Sequence, residues 1–537
     1  MKKTAAEVIV DILIKNNIDT VFGYPGAAST PLHQALSKSE IRHILPRSEQ
    51  SGAHEATGYS SVGGGVGVCI ATSGPGATNL LTGIANAYMD SLPLVAITGQ
   101  VTSEQIGRDV FQEVDMFGTT APYCKHSYLI KDAAQIPRVF HEAFYIASTG
   151  RPGPVVVDVP MDLQLQEIEV PEFDKIDIRG YKPTVKGHEM QIKRAVNELR
   201  RAKRPVFLAG HGIILSDSIA EFRKLVDITK VPAVSTLLGI GALPTDHPLN
   251  FGMVGSHGMA QSNFALKNAD LVFIIGARVS DRAVPAPAIL QDKRIVHIDV
   301  DPAEIGKIVS TNTPIVGDIK DILTQMLALV EQNESYTDWA AEIASQKKPI
   351  RVPQTNGTIC AKNALHLLSN MVEENAIVTT EVGQNQIWTA RNWNFKDQTK
   401  LVTSGGFGTM GYGLPAAVGA KLAAPDRQVI AVEGDGSFQM SMGELATIVA
   451  HDLDIKIILL CNNELGMVNE YQRVRNYNNY AVHLAGNPDF SVLASAYGIK
   501  SAVVRDYADL EKAYEAMLAW EGPYLLQINI DAQESTL

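Results

Sequence analysis

The sequence predicts an α/β protein of three domains, each a mainly parallel sheet flanked by helices. Three observations predict it. Strand-length runs such as Leu94–Gly99 (LVAITG), Val155–Val159 (VVVDV) and Leu271–Gly276 (LVFIIG) are apolar almost throughout. Strands of that kind are covered on both faces, which is the situation of parallel strands beneath crossover helices. Helical-length stretches, Met190–Arg201 and Ala364–Glu374 among them, lie between such runs, and that alternation is the mark of α/β layering. Finally, 537 residues are too many for one hydrophobic core and suggest about three.

Taken in order, the strand runs are Leu94–Gly99, Val155–Val159, Val206–Gly210, Leu271–Gly276 and Ile295–Asp299, then Val429–Asp435, Lys456–Asn463 and Tyr524–Asp531. Two stretches interrupt them. Gln164–Glu189 is rich in charges and holds Pro171 and Pro183; Asn333–Cys360 holds Lys347, Lys348, Pro349, Pro353 and Gly357. Both read as linkers, giving domains at 1–165, 190–335 and 360–537. The first and third share a rhythm, a Gly/Ala-rich helix followed by a strand ending in Gly, which hints at related folds.

A hydrophobic share of 45% and a charged share of 19% describe a well-cored globular chain. The formal charge of −12 speaks against binding nucleic acid or an anionic membrane, which needs a basic footprint. Cys69, Cys124, Cys360 and Cys461 lack metal-type spacing and read as reduced core thiols. The opening AAEVIVDILIKNN is periodic and broken by charges, unlike a signal peptide, and no 18-residue apolar run appears. The expectation is a cytoplasmic protein without a membrane span.

The strongest chemical signal is Gly434-Asp435-Gly436-Ser437 after one apolar run and Asn462-Asn463 after the next. A βαβ unit of that length sets Asp435 and Asn462 at the carboxyl ends of adjacent parallel strands, where α/β proteins bind ligands. Gly-Asp-Gly alone is first a turn signal. Paired with Asn-Asn it supplies two oxygen ligands of the kind Mg²⁺ takes beside phosphate oxygens and water. Gly434 and Gly436 let backbone amides come close to a diphosphate. The arrangement resembles the diphosphate and Mg²⁺ motif of thiamine-diphosphate enzymes, and that resemblance implies a third ligand, the backbone carbonyl of Glu464. Such chemistry also needs a carboxylate hydrogen-bonded to N1′ of the cofactor's pyrimidine, in apolar surroundings that let it share a proton. Glu49, in Arg47-Ser48-Glu49-Gln50, follows the apolar Ile41–Leu45 and precedes a helix with Gly52, Ala53, Ala56 and Gly58. Taken alone it is an ordinary helix-start carboxylate.

Further segments identify a family. Phe22-Gly-Tyr-Pro-Gly-Ala27, Arg47–Gln50, Thr72-Ser-Gly-Pro-Gly-Ala-Thr-Asn79, Ala87-Tyr-Met-Asp-Ser91, Phe111-Gln-Glu113, Lys125-His126 and Thr149-Gly-Arg-Pro-Gly-Pro154 come first. Gly276-Ala-Arg278, Asp281-Arg282, His297-Ile-Asp299 and Asp301-Pro-Ala-Glu-Ile-Gly306 follow, then Val382-Gly-Gln384, Ser404-Gly-Gly406, Gly408-Thr-Met-Gly411 and Leu465-Gly-Met-Val468. In order and over nearly the whole chain they resemble the acetohydroxyacid (acetolactate) synthases.

The resemblance implies thiamine diphosphate, Mg²⁺ and FAD as cofactors, on pyrimidine-binding, central FAD-binding and diphosphate-binding domains. It implies that pyruvate is decarboxylated and its two-carbon unit joined to pyruvate or 2-oxobutyrate, a step of branched-chain amino-acid biosynthesis. Glu49 is then the N1′ partner, facing Asp435 and Asn462 of another subunit, so that a homodimer or homotetramer is expected, with a possible regulatory small subunit. Phe111, Gln112 and Gly26 line the reacting centre, and Arg282 takes the carboxylate of the second 2-oxo acid by its guanidinium fork. Met410 props the bent cofactor. Further cofactor contacts are implied for Pro25, Pro75, Asn79, Val382, Gly383, Gln384, Asn385, Gly408, Gly434, Gly436, Ser437, Leu465, Gly466 and Met467. The flavin falls to Arg151, Thr236, Leu237, Gly276, Arg278, Asp299, Val300 and Asp318.

The chain departs from the family at Ser280 (commonly Asp), Met161 (Lys), Tyr471 (Trp), Asn385 (His) and Ser48 (His), and it stops soon after Asp531. Alternatives are a thiamine-dependent carboligase or lyase with another acceptor, a catabolic acetolactate synthase without flavin, and a non-catalytic paralogue.

Overall fold

The computed structural model describes residues 2–63, 65–169, 176–332, 336–348 and 358–536. Three six-stranded sheets organise it, every strand pair in them parallel.

The first sheet holds β1 (Thr20–Gly23), β2 (Arg42–Ile44), β3 (Gly67–Ala71), β4 (Leu94–Gln100), β5 (His126–Leu129) and β6 (Pro154–Pro160), in the order β2-β1-β3-β4-β6-β5. Every residue of β3, β4 and β6 is buried, which is why those runs are apolar without alternation. Helices α1 (Glu49–Gly63) and α2 (Leu81–Asp90) cross over it. Outside the sheet, Lys3–Thr4 pairs antiparallel with Glu167–Ile168. The stretch expected as the first linker therefore begins as a strand; hydrogen bonds to the chain's start hold it. Residues 170–175 of that stretch lie outside the described residues.

The central sheet comprises β7 (Pro205–Ala209), β8 (Ala233–Ser235), β9 (Asn250–Met253), β10 (Leu271–Ile275), β11 (Arg294–Asp299) and β12 (Thr313–Val316), ordered β9-β8-β7-β10-β11-β12. Helices α3 (Glu189–Arg201) and α4 (Ile319–Leu327) pack on it. Asn333–Cys360 is the second stretch read as a linker in the sequence. It contains α5 (Thr337–Ala344), whose Trp339 and Ile343 are buried on the central core. Trp339 Nε1 donates to Pro205 O at 3.1 Å, so apolar burial outweighs the charged, Pro-rich flanks. Residues 333–335 and 349–357 lie outside the described residues.

The third sheet holds β13 (Ile377–Thr380), β14 (Lys400–Thr403), β15 (Val429–Gly434), β16 (Ile455–Cys461), β17 (Lys500–Val504) and β18 (Tyr524–Asn529), ordered β14-β13-β15-β16-β18-β17. That is the strand order of the first sheet, position for position, so the shared rhythm reflects one topology used twice. The helices that shape its edge are α6 (Gln384–Asn392), α7 (Gly413–Ala423), α8 (Asp435–Ser441) and α9 (Gly466–Val474). The run read as Val429–Asp435 ends as a strand at Gly434, and Asp435 opens α8, where the helix N-terminus favours a carboxylate.

The first and third domains share one core cluster, in which Phe22, Ala53 and Ala56 meet Tyr412, Ala416 and Ala417. Its centre is the crossing of α1 and α7. A Cβ on Gly58 would lie 2.3 Å from Ala416 O, and one on Gly419 only 1.9 Å from Glu55 O. The small residues after Glu49 are thus what lets the two backbones touch. All four cysteines are buried and free. Among the described residues no helix is long and apolar enough to cross a membrane.

Candidate active site

In the first sheet the connections diverge between β1 and β3, and the carboxyl ends there form the crevice where such sheets bind ligands. Glu49 opens α1 at this edge, with Ser48 Oγ accepting from Ser51 N at 3.1 Å to cap the helix. Asn79 Nδ2 donates to Glu49 Oε2 at 2.9 Å. The place of a Cβ on Gly76 is 3.2 Å from Glu49 Oε1 and 2.9 Å from a Thr72 methyl; the same Thr72 fills the space beside Gly26 at 2.5 Å. Gly74, at φ +59, carries Gln112 directly against it, 2.8 Å from where its Cβ would stand. The loop Thr72–Gly76 therefore gathers Gly26, Glu49 and Gln112. Gln112 itself sits at φ +60, a strained position for a side chain of its size. Pro25, Pro75 and Asn79 are exposed around this cluster, and Phe111 beside it is 87% exposed.

In the third sheet Asp435 and Asn462 follow the paired strands β15 and β16, as the spacing predicts. The Asp435 carboxylate accepts from Asn463 N at 2.7 Å and from Asn487 Nδ2 at 3.0 Å. Burial pushes its pKa up to about 6 against these hydrogen bonds, and a bound cation would lower it again. Asn462 Oδ1 accepts from Glu464 N at 3.1 Å, and Asn462 Nδ2 lies 3.3 Å from Gln384 Oε1. A set of one carboxylate, one amide oxygen and one backbone carbonyl contains a single acidic ligand. It is a different kind of site from a cluster of three His, Cys, Asp or Glu, of which the described residues hold none.

Around Asp435 and Asn462 several glycines leave the backbone open. A Cβ on Gly434 would meet nothing nearer than 3.5 Å, and one on Gly408, at φ +75, nothing nearer than Val382 at 4.0 Å. Gly383, at φ +142, faces Asn385 Oδ1 at 3.1 Å, and the Asn385 amide is held by Glu381 O and Val432 O. Ser437 Oγ donates to Gly434 O at 3.2 Å. Gly436 lies under Leu465, and Gly466 lies so close to Gln384 that a Cβ would be 2.0 Å from its Oε1. Met410 and Met467 are half-buried at this edge. The amides of Gly411 and Gly413, on either side of Tyr412, are both held by the Glu381 carboxylate, at 2.8 and 2.9 Å. These observations fit a diphosphate with its divalent cation.

The central sheet also switches direction, between β7 and β10, and its carboxyl edge collects the residues named for a flavin. Thr236 and Leu237 follow β8, Gly276 and Arg278 follow β10, Asp299 and Val300 end β11, and Asp318 follows β12. Asp299 is pushed up to about 6 by burial. Asp318 caps α4 through Asp321 N at 3.1 Å. Gly276, at φ +59, is a packing glycine: Ile319 and Gly212 fill the place of its Cβ at 2.4 and 2.7 Å. Arg151 reaches in from the first domain to Glu304 at 3.0 Å and Asp301 at 3.4 Å. An edge of parallel strand ends with polar groups at four of them fits a dinucleotide. Ser280 caps a local turn through Ala283 N at 3.3 Å.

Arg282 is exposed, with Asp281 3.9 Å away. The neighbouring His257 feels both the Arg282 guanidinium and the Glu470 carboxylate of α9 while burial lowers its pKa. Tyr471, on α9, is 54% exposed under the guanidinium of Arg475, 4.7 Å from its ring. Sequence reasoning passed over Thr72, Asn487 and Glu381, which hold the named residues in place. Thr72 stands inside a quoted motif; Asn487 and Glu381 carry no local signal, since only folding brings them to their partners.

Three family models match the chain: the thiamine pyrophosphate enzyme N-terminal TPP binding domain over residues 3–119, the central domain over 192–326, and the C-terminal TPP binding domain over 381–528. The chain is 43% identical to a probable acetolactate synthase large subunit of Methanocaldococcus jannaschii, covering 99% of this chain and 92% of that one. It is 40% identical to the acetolactate synthase large subunit of Lactococcus lactis subsp. lactis, over 99% of this chain and 94% of the relative. To the chloroplastic acetolactate synthase of Arabidopsis thaliana it is 40% identical, over 100% and 82%. By these matches the chain belongs to the thiamine pyrophosphate enzymes and, within them, to the acetolactate synthase large-subunit family.

Proposed function

We propose that this chain is the catalytic component of an acetolactate synthase: pyruvate loses CO₂, and its two-carbon unit is joined to a second 2-oxo acid, pyruvate or 2-oxobutyrate. The carrying observation is Asp435 beside Asn462 at one sheet edge and Glu49 beside Asn79 at the equivalent crevice of a second, identically ordered sheet. When bound, thiamine diphosphate supplies the electron sink for the decarboxylation.

This chain's residues do the rest. Asp435, Asn462 and the Glu464 carbonyl would hold Mg²⁺, and the amides around Gly434 and Gly436 would hold the diphosphate. Glu49 holds a proton at N1′ of the pyrimidine, with Asn79 fixing its carboxylate. Phe111 and Gln112 border the reacting carbon, and Arg282 binds the acceptor's carboxylate. The central edge from Thr236 to Asp318 holds FAD, without net redox work in the ligation. Active sites shared by two protomers account for the exposure of Phe111, Phe407, Met440 and Val468 near the two edges, since large apolar side chains gathered at a surface mark an interface. A homodimer is the smallest assembly on this reading, with a tetramer and a regulatory partner as extensions, and the reaction serves branched-chain amino-acid synthesis.

The test is the visible spectrum of the purified protein, then pyruvate turnover with thiamine diphosphate and Mg²⁺. Bound flavin and 2-acetolactate are expected, with 2-aceto-2-hydroxybutyrate when 2-oxobutyrate is added. A protein that makes neither product, yet ligates pyruvate to an aldehyde, would make the other-acceptor carboligase the better reading; Tyr471 and Met161 are where that difference would sit.

A further inference from the structure

Helix α2 buries two polar side chains in its last turns, Asn86 at 0% and Asp90 at 1% exposure. Both reach across to the loop that leaves β14 in the third domain. Asn86 Oδ1 accepts from the hydroxyl of Ser404 and, at 3.1 Å, from that of Thr409. Ser404 Oγ in turn accepts from the amides of Gly408 at 3.0 Å and Thr409 at 2.9 Å. The Asp90 carboxylate accepts from Gly406 N at 2.6 Å and Gly405 N at 3.2 Å. Three of the six residues from Ser404 to Thr409 are glycines, and the one side chain that bonds the loop's own amides, Ser404, is itself held by Asn86. The first domain thus braces a loop that, among the described residues, the third domain hydrogen-bonds only through Gln386 Nε2 on Ser404 O, at 3.1 Å.

The central domain closes the same junction. Arg278 donates to Met89 O, and His211 Nδ1 lies 3.1 Å from Asp90 O. A Cβ on Gly406 would stand 2.7 Å from Asp90 Oδ1 and 2.9 Å from Arg278 Nη2, so loop, carboxylate and guanidinium are packed together. Burial pushes the Asp90 carboxyl up to about 7 against the opposing pull of the two amides and Arg278.

We infer that Asn86 and Asp90 are positioning residues that fold the Ser404–Thr409 loop of their own protomer into the shape that presents Gly408 and Met410 to thiamine diphosphate. The inference rests on the reading of that loop as part of the cofactor site. A buried hydrogen-bond partner removed from a positioning contact costs roughly tenfold in the equilibrium it supports.

The experiment measures thiamine diphosphate affinity by titration of the purified protein in Mg²⁺, with KM for the cofactor, kcat at saturation and the cofactor-free melting temperature alongside. Variants are Asn86→Ala, Ser404→Ala, their double, and the isosteric Asp90→Asn and Thr409→Val, which keep the core filled should an alanine variant fail to fold. The expected result is a Kd and KM for thiamine diphosphate raised roughly tenfold in each single variant, kcat within about twofold, and a double variant little worse than either single, as for two ends of one contact. Wild-type Kd and KM in variants whose melting temperature has fallen would overturn the inference, since the contacts would then serve stability only. So would additive effects of Asn86→Ala and Ser404→Ala. If the wild type itself binds no thiamine diphosphate, the underlying reading of the site fails, and this inference with it.

Discussion

Glu49 occupies a position that any helix-start carboxylate could take; what distinguishes it is Asn79 at 2.9 Å and the Gly76 surface against its other oxygen. Glu49→Gln keeps the shape and the Asn79 contact but cannot hold a proton at N1′. Turnover is expected to fall ~10²–10⁴-fold with thiamine diphosphate still bound, and cofactor titration beside a rate assay checks both halves. Arg282→Ala should weaken acceptor use while sparing the decarboxylation of the first pyruvate, by roughly 10–150-fold in acceptor kcat/KM for one charged hydrogen-bond partner lost. Near-equal losses in the two half-reactions would remove Arg282 from that role. Away from the site, Asp158 lies inside β6, accepting from Thr98 at 2.7 Å and Gln100 at 2.9 Å. Burial raises its pKa from 3.8 to about 7. A carboxyl that holds its proton more tightly folded than unfolded favours the folded state less as pH rises, here between about 4 and 7. Asp158→Asn should therefore raise the melting temperature most at about pH 8, clearly less at about pH 5 and scarcely below about pH 4; equal shifts at about pH 8 and about pH 5 would show that the charge is not the cause. The strand-end positions of Asp435 and Asn462 were legible because strand, turn and spacing are local. Asn487 on Asp435 was not, since 52 residues separate them in sequence.

The helix pair α1 and α7 links the two cofactor edges, because Glu49 opens one helix and the loop through Met410 and Gly411 leads into the other. Backbone contact at Gly58 and Gly419 leaves no room for a methyl group. Gly419→Ala is expected to cost ~1–3 kcal/mol or more by overpacking and to weaken cofactor binding by shifting both helices. Gly63→Ala, where the nearest atom would be a comfortable 3.5 Å away, should stay within about 0.5 kcal/mol of wild type. Denaturant titration of both variants decides, and equal stabilities would refute the close-contact account. The long central strands were readable in the sequence because burial on both faces makes them apolar throughout. The short strands Arg42–Ile44, Ala233–Ser235 and Thr313–Val316 were not. Three or four residues give no periodicity, and their strand character comes from the neighbour they pair with. Helix α5 was hidden in the same way, its two buried apolar residues outnumbered locally by charges.

At the scale of the molecule, the proposal that one protomer supplies Glu49 and another Asp435 makes a prediction no single-chain site can share. Mixing the inactive Glu49→Gln and Asp435→Ala proteins, after dissociation and reassociation, should restore about a quarter of wild-type activity, because half of random dimers are mixed and each keeps one intact site. No recovery in verified mixed dimers would place both groups in one chain's site. The sequence by itself determined the α/β class, the parallel strands, the family and the strand-end positions of Asp435 and Asn462, because each is carried by composition over a few residues or by motifs whose spacing one βαβ unit fixes. Tertiary structure alone decided that the first and third sheets share one strand order, that α1 and α7 meet backbone to backbone, and that Asn86, Asp90 and Arg278 converge on the Ser404–Thr409 loop. The hydrogen bonds among them join residues 189 to 318 positions apart. A hydrogen bond or a Gly–backbone contact of that span leaves no periodic trace in the chain; it exists only where folding brings two surfaces to the same place.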